Sequence, residues 1–191
     1  MKFISFNHDN SEKFGIIENN LITDLTGKID GALSLKELIK IKKIKEAKEY
    51  AKSNPGSIKP DQIEYSPLIP NPGKIICVGL NYSEHVKETN RTVEENPVIF
   101  HRFPESQTAH MQAIQRPSVS KSLDFEGEMA VIMDEGGKHI KSEEALKHVV
   151  GFSCYNESTI REWQRHTRQF GMGKNFERTG SFGPHMVLAE D

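Results

Sequence analysis

Cysteine is scarce in this sequence, tryptophan occurs once, and no apolar run approaches the ~20 residues that cross a bilayer. The shortage of cysteine excludes a disulfide-stapled secreted scaffold. Cys77 and Cys154 lie far apart and form no CxxC pair, so both are expected as buried free thiols in a reducing cytosol. Without a long apolar run there is no helical membrane span. The opening stretch Met1 to Asp9 is broken by polar side chains too early for a signal-peptide core, so a cytoplasmic location is expected. A large excess of one charge is missing too. At a net charge of −2, bulk electrostatics gives no case for nucleic acid or a membrane surface as partner. What 191 residues with a 36% hydrophobic and 27% charged composition do allow is a soluble globular protein with a real core.

The hydrophobic pattern divides the chain in two. Residues 1–30 alternate apolar and polar in short runs separated by Asn and Gly, as in Asn19-Asn20 and Gly27, which predicts small antiparallel strands joined by turns. Ser34 and Glu37 have capping-box spacing. Leu35, Leu38, Ile41, Ile44 and Ala47 then give the apolar stripe of one helix whose lysines face solvent. Five prolines between Pro55 and Pro72 exclude helix or central strand there and mark a boundary or an extended crossing segment. The reading is therefore a small N-terminal α/β domain over residues 1–65 and a larger strand-rich domain over 66–191. Strands are expected at 74–79, 98–100, 125–133 and 152–155. A helix capped by Ser142 should bury Ala145, Leu146, Val149 and Val150 and end at Gly151.

Four segments carry groups able to do chemistry. In the run Asp124 to Met133, strand parity puts Phe125, Gly127, Met129, Val131 and Met133 on one face and Glu126, Glu128, Ala130 and Ile132 on the other. Two carboxylates at i and i+2 sit about 7 Å apart at Cα and repel unless neutralised; a hard divalent cation would remove that penalty. An exposed edge paired with lysines accounts for the same spacing. Glu157, Arg161 and Gln164 would line one face if a helix begins near Ser158, suiting an oxyanion beside a cation or an ordinary surface ion pair. His85 and Glu88 are three apart on an expected helical turn, where a carboxylate can orient an imidazole, although inert helices carry such pairs as well. Lys174 follows a glycine in an expected loop beside Phe176, either as an oxyanion partner or as a solvated lysine.

Taken in order, Lys74 to Tyr82 with His85, Phe125-Glu126-Gly127-Glu128, Asn156-Glu157 with Arg161 to Gln164, and Gly173-Lys174-Asn175-Phe176 with Phe182-Gly183-Pro184 resemble the fumarylacetoacetate hydrolase family. The likeness is to its bacterial hydroxyheptadienedioate isomerase and acylpyruvase-like branch, and Pro97 to Pro104 with Ser106-Gln107 fits the same branch. It runs from about residue 65 to the end. The resemblance implies an α+β fold, a mixed β-roll with a small N-terminal α/β domain, paired as a homodimer. It also implies Mg²⁺ or Mn²⁺ held by Glu126, Glu128 and Glu157, with Ca²⁺ as a further option. His85 and Glu88 would form the catalytic dyad and Lys174 the oxyanion partner. Arg161 and Gln164 would contact substrate, with Phe100, Arg102 and Ser106 nearby.

The expected activity is metal-dependent hydrolysis of a carbon–carbon bond in a small β-dioxo acid of the acylpyruvate or fumarylacetoacetate type. Isomerase, tautomerase or decarboxylase chemistry through the same enolate is the alternative. Two departures from the family pattern bear on this. Glu157 stands where the family has aspartate, one methylene longer against a strict ligand distance. Family members also continue past a point like Asp191, so the expectation includes a fragment, a chain completed by another, or a non-catalytic relic.

Overall fold

The computed structural model describes residues 1–82 and 96–191, so His85 and Glu88 lie outside the described residues. The chain opens with β1 (Lys2–His8), β2 (Ser11–Glu18) and β3 (Leu21–Asp24), an antiparallel meander. Its two connections are Asp9-Asn10 and Asn19-Asn20, and all four residues have positive φ, between 50° and 62°. Two-residue turns of that kind match the twist of the strands they join, and Asn and Asp tolerate the left-handed conformation best among non-glycines.

The expected single helix is two: α1 (Leu35–Lys40) and α2 (Ile44–Ser53). Lys42 between them has φ 57°, which ends the first helix and re-aims the second. As a result Ile39 is buried and Ile41 is exposed, the reverse of a continuous stripe. Ser34 does accept from the Glu37 amide, but Glu37 reaches back to the amide of Leu33, one residue beyond the capping-box position. The proline-rich stretch holds one 3-10 turn, Pro60–Gln62, where Pro60 costs no helical hydrogen bond, and otherwise runs extended, pairing β4 (Glu64–Tyr65) with β1 at the sheet edge.

The larger part begins with a hairpin of β5 (Ile75–Gly79) and β6 (Val98–Arg102), followed by β7 (Gln107–Thr108), β8 (Leu123–Asp124) and β9 (Gly127–Met133). The long strand β10 (Val149–Glu157) and the short β11 (Thr159–Ile160) come next. Two single-turn helices, α3 (Arg161–Gln164) and α4 (Gly171–Lys174), precede β12 (Gly180–Phe182) and β13 (Val187–Leu188). β10 is the hub: it pairs antiparallel with β9, β12 and β13, while β12 pairs parallel with β7, giving a mixed sheet in a strand-rich α+β fold.

The segment Ser142–His148 is a 3-10 turn capped by no side chain, Leu146 is 77% exposed, and Val149 and Val150 belong to β10. Strand pairing with Met133 and Ile132 claimed residues whose local pattern is equally helical. Strand parity in β9 is as read. Ile132 is buried and shares the inner face with Glu128 and Ala130.

One buried cluster unites both parts of the chain: Phe3, Phe14 and Ile16 from the first sheet, Leu35, Leu38 and Ala47 from the helices, and Ile132, Tyr155, Phe182, Met186 and Leu188 from the second sheet. Phe3 and Met186 exchange backbone hydrogen bonds at 3.0 and 2.8 Å across the join. Each such fully buried side chain contributes about 1.5–3 kcal/mol.

The opposite face of the β9–β10 pair is apolar and bare. Phe125 is 78% exposed, and Met129, Val131 and Met133 are exposed beside it. Cys154 lies opposite Met129 on this face and is exposed, contrary to the buried thiol expected; Cys77 is half-buried. Among the described residues no helix is long and apolar enough to cross a membrane.

Candidate functional site

The ends of β9 and β10 are stitched together. Glu157 N–H donates to the Glu126 carbonyl at 2.9 Å, and Glu126 N–H donates to Asn156 Oδ1 at 3.1 Å. These bonds bring Glu126, just before β9, beside Glu157, the last residue of β10. Glu157 therefore sits on a strand. Of the stripe predicted for a helix, only Arg161 and Gln164 are helical, joined by Arg161 Nη1 donating to Gln164 Oε1 at 3.0 Å.

The two carboxylates converge on one nitrogen. Lys174 Nζ lies 2.9 Å from Glu126 Oε2 and 2.8 Å from Glu157 Oε2, and it also donates to the Glu157 carbonyl at 3.3 Å. Lys174 closes α4, where the sequence predicts a loop, and its side chain is 1% exposed. All three ammonium protons are thus used in a nearly dry place, with the Phe100 ring centre 5.0 Å away. Gly173 makes the approach feasible. A β-carbon there would come within 2.5 Å of the Gln164 amide nitrogen, so only glycine lets α4 pack this closely on α3.

Each carboxylate has further partners of its own. Glu126 Oε1 accepts from Thr159 Oγ1 at 2.5 Å and from Arg161 Nη1 at 2.8 Å, while Arg161 Nε donates to Asp124 at 2.8 Å. Glu157 Oε1 accepts from Arg102 Nη1 at 3.1 Å. The Arg102 side chain is 0% exposed and spends its fork on protein: Ser106 Oγ at 3.2 Å, the Ser158 carbonyl at 3.1 Å and Thr179 Oγ1 at 2.9 Å. A β-carbon on Gly180 would meet Arg102 Nη2 at 2.7 Å, so that glycine is what leaves room for the buried guanidinium.

Ser106 is equally sealed, accepting from Arg102 and donating to the Phe103 carbonyl. Arg102 and Ser106 thus stand behind Glu157 and brace it. Three acids, Asp124, Glu126 and Glu157, face three cations, Arg102, Arg161 and Lys174. The acid pair is therefore neutralised by the chain's own side chains, a solution the sequence spacing alone does not reveal.

The electrostatics follow from this packing. Burial works against the charge on Glu126. The Lys174 ammonium, the Thr159 hydroxyl and Arg161 outweigh it and hold this carboxyl below its ordinary value. At Glu157 burial prevails over Lys174 and Arg102 and pushes the carboxyl up. The Cys77 thiol is pushed to about 12 by burial, and then by the charge of Glu157, so it is held neutral beside the acids.

Glu128 does not join the pair. It lies opposite Tyr155 in the register. Among the described residues no group of three His, Cys, Asp or Glu side chains gathers closely enough to hold a metal. Two oxygens already aimed at one cationic nitrogen nonetheless fit a hard divalent ion, for which the ammonium is a stand-in. The sequence reading missed Asp124, Thr159 and Thr179 as partners. Thr159 and Asp124, each two residues from a candidate acid, were within reach of the strand-parity argument. Thr179 carried no local signal.

Residues 74–191 match the family described as Fumarylacetoacetate (FAA) hydrolase C-terminal. Over 130 residues the chain is 38% identical to a Rattus norvegicus protein named oxaloacetate tautomerase Fahd2a, mitochondrial; this covers 68% of the chain and 42% of that protein. A Xenopus laevis oxaloacetate tautomerase is 35% identical over 146 residues, covering 75% of the chain and 46% of its own length. The chain thus matches less than half the length of these relatives. Among solved structures, a fumarylacetoacetate hydrolase from Exiguobacterium antarcticum aligns with a TM-score of 0.84 at 29% identity, over all of this chain and 67% of that one. A Sphingobium maleylpyruvate hydrolase, solved with manganese(II) and pyruvate, shares the fold at a TM-score of 0.80 and 19% identity, over all of this chain and 68% of its own.

Proposed function

Given that the chain belongs to the fumarylacetoacetate hydrolase family, we propose that it is an enzyme acting on a small oxo acid through its enolate, with a divalent cation at the Glu126–Glu157 pair. The observation that carries this reading is the convergence of Glu126 Oε2 and Glu157 Oε2 on a single cationic point. Glu126 and Glu157 would hold Mg²⁺ or Mn²⁺, and Glu128, on the strand face of Glu126 but apart from the pair, would have to turn toward the ion to become a third ligand. When bound, such an ion polarises a carbonyl and favours the enolate.

The chain's own residues supply the rest. Lys174 and Arg161 are the cationic donors closest to the acids, placed to take the oxyanion that forms as the enolate develops. Arg102, braced by Ser106, fixes the rotamer of Glu157. The Phe100 ring shields Lys174 from water. His85, with Glu88 three residues on in the sequence, is the proposed proton carrier.

Both enol–keto interconversion and carbon–carbon hydrolysis pass through that enolate. The names of the relatives at 38% and 35% identity support tautomerisation of oxaloacetate or a similar acid. Hydrolysis of a β-dioxo acid is the second reading, supported by the name of the Exiguobacterium antarcticum enzyme. The test is a calorimetric Mn²⁺ titration followed by product analysis on oxaloacetate, acylpyruvate and a hydroxydienedioate. We expect binding in the micromolar to millimolar range, as for sites with few carboxylates, and turnover of at least one acid. Binding with no turnover of any of the three would reduce the chain to a metal-binding relic.

We further propose that a second copy of the chain covers the bare face formed by Phe125, Met129, Val131 and Met133. Contiguous apolar surface of this kind marks an interaction site on a soluble protein. Light scattering should give twice the chain mass for the wild type and a single mass once Met129 and Val131 are replaced by lysine. A monomeric wild type at tens of micromolar sinks this part.

A further inference from the structure

The position most suited to a divalent cation is the one Lys174 already fills. All four oxygens of Glu126 and Glu157 carry a partner: Arg161 and Thr159 on Glu126 Oε1, Arg102 on Glu157 Oε1, and Lys174 on both Oε2 atoms. A cation at the point that both Oε2 atoms face must therefore displace the ammonium already there. Arg102 is locked by Ser106, the Ser158 carbonyl and Thr179, all outside the acid pair. Arg161 touches Glu126 alone of the two acids and is also tied to Asp124 and Gln164. Among the described residues Lys174 is the single group bound to both, on a flexible four-carbon stem, and its three described partners all belong to Glu126 and Glu157.

We propose that Lys174 is an exchangeable internal cation. It neutralises the acid pair while no metal is present, yields that point when a divalent ion enters, and only then has its ammonium free for an anionic substrate. The reading rests on the metal site proposed above and adds a regulation to it: the ammonium and the metal compete for one position, and lysine becomes available for substrate only in the loaded state. The buried acids never face each other uncompensated, and the metal-free protein stays folded without a substrate-binding lysine on offer.

The decisive comparison is wild type against Lys174→Met, which keeps the stem and removes the charge, each melted with and without Mn²⁺ and titrated with it. Without metal, the variant should melt well below the wild type, and Mn²⁺ should restore most of the difference. Its Mn²⁺ affinity should also rise, by about tenfold if the wild-type lysine is away from the acids in a tenth of molecules. Metal-free melting equal to wild type, with an unchanged affinity, overturns the exchange while leaving the metal site standing. No heat of binding on either chain overturns both readings together.

Should the variant fail to fold, the wild type answers by ¹⁵N NMR of its lysine ammonium groups. The buried, hydrogen-bonded Lys174 ammonium should be visible without metal and vanish at saturating Mg²⁺, because a released ammonium exchanges its protons with water. A signal that persists unchanged at saturation overturns the proposal.

Discussion

Replacing Arg102 by methionine is expected to cost the fold about 3–5 kcal/mol, the range for removing one partner of a buried ion pair. The reason lies in what remains. Glu157 keeps Lys174 but loses the guanidinium on its other oxygen, and the Ser158 carbonyl and Thr179 hydroxyl each lose a donor in a place water does not reach. Urea unfolding of the variant measures the loss directly. Adding Glu157→Gln in the same background should recover part of it, since a neutral amide needs the missing cation less. A double-mutant cycle then isolates the coupling between the two positions. A single-variant loss below about 1 kcal/mol would mean that water enters the cluster and that Arg102 is no structural brace.

The second large effect concerns Glu126. Glu126→Ala removes one of the two oxygens aimed at the cation point and frees Lys174 and Arg161 from their shared acceptor. Mn²⁺ affinity and turnover should each fall by at least about a hundredfold, corresponding to the several kcal/mol of transition-state stabilisation asked of a metal. Arg161→Ala should cost far less, because Lys174 and the metal still face the developing charge. Near-wild-type turnover in Glu126→Ala, or a larger loss in Arg161→Ala, would move the chemistry away from this acid pair.

The sequence made part of this site legible because a strand has period two. Glu126 and Glu128 could be put on the face of Ile132 without any knowledge of partners, and Ile132 is indeed buried. The second hairpin turn was legible for a similar local reason, since Asn19-Asn20 suits left-handed backbone. Where long-range pairing decides, local pattern fails. Val149 and Val150 fit a helix until β9 offers them a ladder, and Glu157 fits a helical stripe until its amide bonds to Glu126. Arg102 illustrates the hardest case. Apart from Ser106, its side-chain partners are 55 residues away at Glu157 and 77 away at Thr179, so nothing in its neighbourhood announces a buried charge. The fold class, α+β and strand-rich, came from the family resemblance as much as from periodicity.

The backbone exchange between Phe3 and Met186 bears on the order in which this protein can be made. β1 cannot complete this pairing until Met186 has been made, and Phe3 reaches its buried state only then. During synthesis the N-terminal meander therefore waits with apolar side chains uncovered, a long exposure that favours chaperone escort over early independent folding.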